Sequence, residues 1–436
     1  MLDDYCYFTL KNYRYMQVRK TLVIKVQKFF KVLGPGLITG ASDDDPAGIA
    51  TYSQAGAQFG LATLWTALIT FPLMASIQEM CARIGMVTSL GLTGTLKRNY
   101  PKSILYLMVL FSFPAIILNI SADIAAMGAV ANLIFPAVST LYFSIFFTAI
   151  LLFFIIYLPY QKFAAVLKYL CVTLLVYLVV PFLSKQHWGD IARHTFVPTI
   201  HFDKEFLNIL VAILGTTISP YLFFWQATME VETMKHGKQL VVNKHLISRM
   251  RVDVDFGMLF SNIVMFFMIL TAGTVLFNGG IHQIDTVEQA AKALQPLAGN
   301  AAYYLFALGV LGTGLLAIPV LSGSLSYIVS ETFGWEEGLD KKFQEAKPFY
   351  VVIIIALIGG LLINLIGISP IKALIYSAIL YGLTSPVIIA IVLHIANNKK
   401  VMGEFTNNKK SNILGIATLL LMTVSAVFML YYEFAG

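Results

Sequence analysis

Residues 38–56 read ITGASDDDPAGIATYSQAG, and the fold turns on how that stretch is understood. The chain around it is strongly apolar. Yet Asp43, Asp44 and Asp45 stand in a row, followed by Pro46 and Gly48. Carboxylates are expensive in hydrocarbon, and three of them beside two helix-breaking residues imply a task. Pro46 lacks an N–H, and Gly48 tolerates unusual backbone angles. The helix is expected to unwind here with the Asp45 carboxylate facing inward. An unwound turn frees carbonyls that need a partner, and a cation is one.

The composition sets the surroundings. Of 436 residues, 58% are hydrophobic and only 12% charged, and the mean hydropathy is +0.77. A soluble domain is nearer half apolar and a quarter charged. Apolar runs recur from residue 33 to the C-terminus, so the chain reads as a polytopic membrane protein with the bilayer as its main partner. The net charge of +7 is then a matter of sidedness, and no nucleic-acid partner is expected. Cys6, Cys81 and Cys171 are too few and too scattered for a disulfide framework or a zinc site. The basic N-terminal segment lacks the apolar core and small-residue cleavage site of a signal peptide.

A helix needs about 20 apolar residues to cross the bilayer. That rule predicts eleven spans, near 33–57, 61–86, 103–134, 139–157, 161–184, 205–231, 250–277, 299–327, 348–366, 370–395 and 411–434. With the N-terminus cytoplasmic, 25 of the 30 Lys and Arg residues fall on the cytoplasmic side or its flanks. Only Lys185, Arg193, Lys204, Lys292 and Lys372 fall opposite. The bias supports an odd number of spans and places the C-terminus on the far side of a plasma (inner) membrane. The expected organisation is a basic cytoplasmic segment (1–32), a ten-helix core (33–395), a cytoplasmic loop (396–410) and an eleventh helix (411–434).

A second proline interrupts the sixth span at residues 215–225, GTTISPYLFFW. An offset of five spans makes the first and sixth run in opposite directions. The expected architecture is therefore all-α, with a five-plus-five inverted repeat whose first and sixth helices are broken. Broken helices in corresponding positions point to a transport site near the midplane. Opposite Asp45, the second break offers Thr216, Thr217, Ser219 and Tyr221 around Pro220. Every donor at either break is an oxygen, which suits Mg²⁺, Ca²⁺ or Mn²⁺ better than softer metals. Ser219, Gln226 and Glu230 fall on one helix face and form a candidate ion path toward the cytoplasm. Asp123, in LNISADIAAMG, is another deep acid and a candidate proton or ion relay. Glu79 and Arg83, four residues apart, read as a structural ion pair.

At these residues the chain resembles a known family. Residues 34–60, GPGLITGASDDDPAGIATYSQAGAQFG, are similar to the first helix of the Nramp divalent-metal transporters. The breaks and spans extend that resemblance over nearly the whole chain. It implies a LeuT-like fold and a metal ligand at Asp45. The departures are equally specific. Gly48 stands where the family has Asn, Ser219 where it has a soft Met, and Tyr221 where it has His. Asp123 matches a family acid tied to proton movement, but a second acid three residues on is Ala126 here. Thr384 aligns with a glutamine of the tenth helix and joins the candidate ion path. The pattern looks like divergent branches of the family that include magnesium transporters.

The expected function is transport of multivalent metal cations by alternating access, not enzymatic catalysis. The expected ligands are Asp45, Asp44, Ser219, Tyr221 and the carbonyls of Gly48 and Thr217. Preference for transition metals is expected to be reduced, leaving Mg, Mn, Fe or Ca, and proton coupling weak or absent. The alternatives are a proton-coupled Mn/Fe importer, a carrier of an organic substrate on the same fold, or a sensor that binds metal without moving it. An intramembrane aspartyl protease would need paired aspartates in Tyr-Asp and Gly-x-Gly-Asp settings within spans, and neither occurs. No bound cofactor is expected, since the cation is cargo. The sequence is compatible with a monomer and leaves the oligomeric state open.

Overall fold

The computed structural model describes residues 34–158, 174–183, 186–236 and 241–434. The basic segment 1–32, most of the span at 161–184, and Lys162, Lys168, Lys185 and Lys238 lie outside the described residues. Every regular element among those described is helical.

The first span is two half-helices, α1 (Pro35–Asp43) and α2 (Pro46–Phe59). Next come α3 (Trp65–Thr88), the short α4 (Leu92–Asn99), α5 (Lys102–Ile134) and α6 (Thr140–Tyr157). Trp188–Phe196 (α7) is short and amphipathic. The sixth span is again split, into α8 (Lys204–Thr217) and α9 (Pro220–His236). The chain then forms α10 (Lys244–Ala272), α11 (Ala302–Phe333), α12 (Lys347–Ile363), α13 (Pro370–Asn397) and α14 (Lys409–Phe434). Among the described residues, seven helical stretches are long and apolar enough to cross a membrane. The described residues thus hold a multi-pass membrane protein.

Both breaks lie where the prolines put them. Pro46 and Pro220 each open a half-helix, where a missing N–H costs nothing. Helix ends are less faithful to hydropathy. The eighth span, expected to end at 327, continues as α11 to Phe333. Hydropathy marks the hydrocarbon, whereas helical hydrogen bonding runs on as long as side chains pack. Here the extra turn brings the Glu331 carboxylate to the Gly94 N–H of α4, at 2.6 Å.

Glycines set which helices touch. A Cβ at Gly36 or Gly40 of α1 would collide with the α10 backbone at Val254 or Gly257. One at Gly56 of α2 would meet Ile269 and Gly273 on the same neighbour. Small residues let membrane helices pack backbone to backbone. A Cβ at Gly85 of α3 would likewise strike the Ala227 carbonyl of α9. So the first span packs on the seventh, and the sixth on the second. Under a five-plus-five repeat these are equivalent contacts, as inverted symmetry requires.

The peripheral helices face lipid. On α6, Tyr142, Phe146 and Phe153 are exposed; on α14, Ile413, Leu420 and Val427 are. So many exposed apolar side chains belong against hydrocarbon. Glu79 and Arg83 form the expected ion pair at 3.0 Å. It extends further, since Arg251 of α10 reaches the same Glu79 oxygen at 2.9 Å and Arg83 donates to the Phe405 carbonyl. The pair ties three segments together.

Gly40→Val is expected to prevent folding or lower the melting temperature sharply, since its branched side chain meets backbone that cannot move aside. Gly359→Ala in α12, where a Cβ meets nothing within 4 Å, is expected to leave it unchanged. Size-exclusion profiles and thermal melts of the purified variants check both.

Candidate functional site

The two unwound turns, Asp44–Asp45 and Ile218–Ser219, face each other in the protein interior. Asp43 and Asp44 are 0% exposed and Asp45 is 2% exposed. Tyr221 Oη crosses between the breaks and donates to the Ser42 carbonyl at 3.0 Å. Tyr52 Oη and Thr217 Oγ1, 3.0 Å apart, join them a second time.

Asp45 caps α2. Its Oδ1 accepts from the Gly48 N–H at 2.8 Å and its Oδ2 from Asn119 Nδ2 of α5 at 2.9 Å. Asn119 is positioned in turn by Ser377 of α13, which donates to its Oδ1 at 2.9 Å. Tyr381 of α13 lies beside Tyr221, with ring centroids 5.6 Å apart. Asp123, one helical turn beyond Asn119, is 0% exposed. The Asp45 carboxylate and the Ala47 N–H are its electrostatic neighbours.

Asp43 and Asp44 turn the other way, toward α10. Ser261 Oγ lies 2.7 Å from Asp43 Oδ2 and 3.3 Å from Asp44 Oδ1. Eight residues earlier on α10, Asp253 accepts from the N–H groups of Gly34 and Gly36 at 2.8 Å each. Asp253, Gly257 and Ser261 are spaced by four and so share one face of α10. That face caps the start of α1, admits its backbone and meets its acidic end.

Several expected ligands are arranged differently from expectation. Gly48 does not offer a freed carbonyl. It lies in the first turn of α2, where its carbonyl stays within the helix and its N–H holds Asp45. The carbonyls left without helical partners belong to the C-terminal ends of α1 and α8, Thr217 among them. The Ser219 hydroxyl folds back onto the Thr216 and Gly215 carbonyls. Thr384 does not reach the breaks, because its hydroxyl bonds the Leu380 and Tyr381 carbonyls of its own helix. Ser385, about 100° further round α13, reaches instead and donates to the Ile218 carbonyl at 3.0 Å.

The candidate path is partly assembled. Gln226 donates to Glu230 at 2.9 Å and accepts from Thr39 of α1 at 2.5 Å. Below them a cavity of about 190 Å³ is lined by Gly34, Glu230, Thr233, Arg249 and Asp253. Ser219 makes no contact with this chain of groups; it lies in the unwound turn before α9, where helical spacing no longer applies.

Asn119, Ser261, Asp253, Ser377, Ser385, Tyr52 and Thr39 were not foreseen. Asn119 had a signal, since it stands four residues before Asp123 on one helix face. Asp253 had one too, as an acid near the start of the predicted seventh span; the hydroxyl-bearing residues had none, because a hydroxyl in a membrane helix is commonplace. One sulfur stands behind the oxygens: Met265 Sδ of α10 lies 3.7 Å from Thr217 Oγ1.

The family model described as "Natural resistance-associated macrophage protein-like" matches residues 36–432. The chain belongs to the Nramp family. That is a family of membrane transporters, not of enzymes. A protein named "Divalent metal cation transporter MntH" from Caldanaerobacter subterraneus subsp. tengcongensis is 26% identical over 435 residues, spanning 96% of this chain and 98% of its own. One of the same name from Listeria welshimeri is 24% identical over 417 residues, spanning 93% and 90%. Among solved structures, the Eremococcus coleocola manganese transporter superposes with a TM-score of 0.75 at 17% identity, covering 93% of this chain and 87% of that one. Mhp1, a nucleobase-cation-symport-1 family transporter, gives 0.57 at 10% identity with 92% of each chain covered. These superpositions establish the LeuT-like fold, with its broken first and sixth helices.

Asp253→Asn keeps one acceptor where the carboxylate has two. It is expected to lose one of the bonds at the start of α1 and to destabilise the protein by about 1 kcal/mol. Asp253→Leu is expected to cost more. Thermal melts of the purified variants give the comparison.

Proposed function

We propose that this protein moves divalent metal cations across the membrane by alternating access, with Asp45 as the principal ligand. One observation carries the reading: three adjacent carboxylates are buried at the facing breaks with no Lys, Arg or His hydrogen-bonded to them among the described residues. Buried charge of one sign calls for a counter-ion. The names of the relatives, divalent metal cation transporter and manganese transporter, support the same class of cargo. Ser219, Tyr221 and the Thr217 carbonyl supplement Asp45, directly or through water, whereas Asp44 turns toward Ser261 of α10. Gln226 and Glu230 line the way to the cytoplasm. No cofactor enters this reading.

The donor set argues for hard cations. With Ser219 in place of the family's methionine, Mg²⁺ and Ca²⁺ compete better against Mn²⁺ and Fe²⁺. A transition-metal importer is the competing reading, and the Met265 sulfur behind Thr217 is the observation that favours it. The proton route is short of groups. Tyr221 replaces a histidine, and a tyrosine with a reference pKa of about 10 rarely exchanges protons near neutral pH. Ala126 replaces an acid and lines an apolar pocket with Pro46 and Ile49. Influx is then driven by the cation gradient and the membrane potential, worth about 2.3 kcal/mol per charge per 100 mV.

Three outcomes are expected in proteoliposomes. Asp45→Asn reduces Mg²⁺ and Mn²⁺ uptake to background while the protein stays folded; wild-type uptake by a folded variant defeats the assignment. Ser219→Met raises the potency of Cd²⁺ relative to Mg²⁺ in competition by about tenfold, whereas an unchanged ratio means that this side chain does not face the ion. At clamped potential, cation influx leaves lumenal pH constant. Acidification that follows influx and disappears in Asp123→Asn supports the proton-coupled reading instead.

A further inference from the structure

The three carboxylates at the first break sit in opposite electrostatic surroundings. Asp45 lies at the N-terminus of α2, where helix N–H groups carry partial positive charge, and both its oxygens accept hydrogen bonds. Asp43 and Asp44 lie at the C-terminal end of α1, where unpaired carbonyls add partial negative charge. The last turn of α1 holds no basic residue, and neither does the last turn of α8 across the break.

Hydrogen bonding does not compensate them. Ser261 is the donor within reach of both carboxylates, and a hydroxyl has one hydrogen to give. Asp43 Oδ1 and Asp44 Oδ2 are buried and make no hydrogen bond. Tyr52, whose hydroxyl is engaged with Thr217, is an electrostatic neighbour of both acids. Two unpaired carboxylate oxygens, fully buried at the negative ends of two helices, are what a bound cation would satisfy.

We propose that Asp43, Asp44 and Ser261 form a second cation site, separate from Asp45, that takes one hard divalent cation such as Mg²⁺ or Mn²⁺. Two carboxylates match a double positive charge, and an all-oxygen set with water completing the shell suits these ions. The site faces α10, whereas Asp45 faces α5 and α13. A cation here would join the end of α1 to the helix whose Asp253 already caps its start. The proposal concerns residues other than the cargo ligand and stands whether or not Asp45 is that ligand.

Counting Mn²⁺ bound to the purified full-length protein by electron paramagnetic resonance tests it. Two ions are expected in the wild type. One is expected in Asp45→Asn and one in the double variant Asp43→Asn/Asp44→Asn. Ser261→Ala should fold most readily, and is expected to weaken one of the two ions by roughly five- to tenfold while sparing the other. In the Asp45→Asn background, Mg²⁺ is expected to raise the melting temperature, and adding Asp43→Asn/Asp44→Asn should abolish that shift. One ion in the wild type and none in Asp45→Asn overturns the second site and leaves the cargo assignment standing. One ion that survives Asp45→Asn but not the double variant upholds the Asp43–Asp44 site and removes Asp45 as the ligand. Absence of bound Mn²⁺ from the folded wild type overturns both.

Discussion

Everything near the centre of this molecule follows from leaving a run of acids in a place without water. Burial removes the hydration that would stabilise them, and no basic side chain is hydrogen-bonded to them among the described residues. The remaining means of compensation are helix termini, neutral donors and a cation. The break supplies the first two in unequal shares. Only Asp45 receives a helix N-terminus, while its neighbours face a helix C-terminus. The prolines make this division, because they end one helix and begin another within two residues of backbone.

The packing makes the break affordable. α1 has nine residues and no long hydrogen-bond ladder of its own. It is held by α10 along one stripe, with Asp253 at its start, Gly257 against its backbone and Ser261 at its acidic end. The same stripe therefore holds both the start of α1 and the buried acids at its end. A half-helix fastened at both ends to one neighbour moves with that neighbour, so a rearrangement of α1 in transport engages α10 as well. The Thr39–Gln226 bond, between the half-helices α1 and α9, is a contact that such a movement would have to break.

The fold was readable because the bilayer imposes it. Apolar runs of span length and two prolines at equivalent positions suffice to place the described long helices and both breaks. Ends were less readable, as α11 shows: hydropathy stops at the hydrocarbon while packing of Glu331 on Gly94 continues the helix. The buried place of Asp45 at the break was legible from its proline and its depth. Its partner Asn119 was legible in principle, at one turn from Asp123. The pairings of Ser261 and Asp253 were not, since these residues lie 218 and 217 residues from the groups they meet. One sequence without aligned relatives carries no signal of such pairings. Gly48 and Thr384 direct their groups otherwise than expected, for a local reason. Each was assigned a role from its position in the chain, but the direction of its groups depends on where the helix restarts and which face it presents.

The direction of the helix halves also bears on which cations the break can favour. A thioether at position 219 would give soft ions an advantage; a serine there removes it, and its hydroxyl gives its hydrogen to carbonyls of α8 while its oxygen can still accept. On the proposed function, selectivity would rest on charge, size and the cost of shedding water more than on ligand softness. Those are terms on which Mg²⁺ differs most from Mn²⁺ in rigidity of hydration. A site that surrounds the ion with carboxylates and hydroxyls but few fixed carbonyls can retain part of its water shell. The tyrosines at 221 and 381, the serines at 261 and 377 and the carboxamide of Asn119 are suited to bonding such retained waters. The substitutions that take sulfur and imidazole away from the break thus do more than weaken one preference: they leave polar groups that can recognise a cation together with its water.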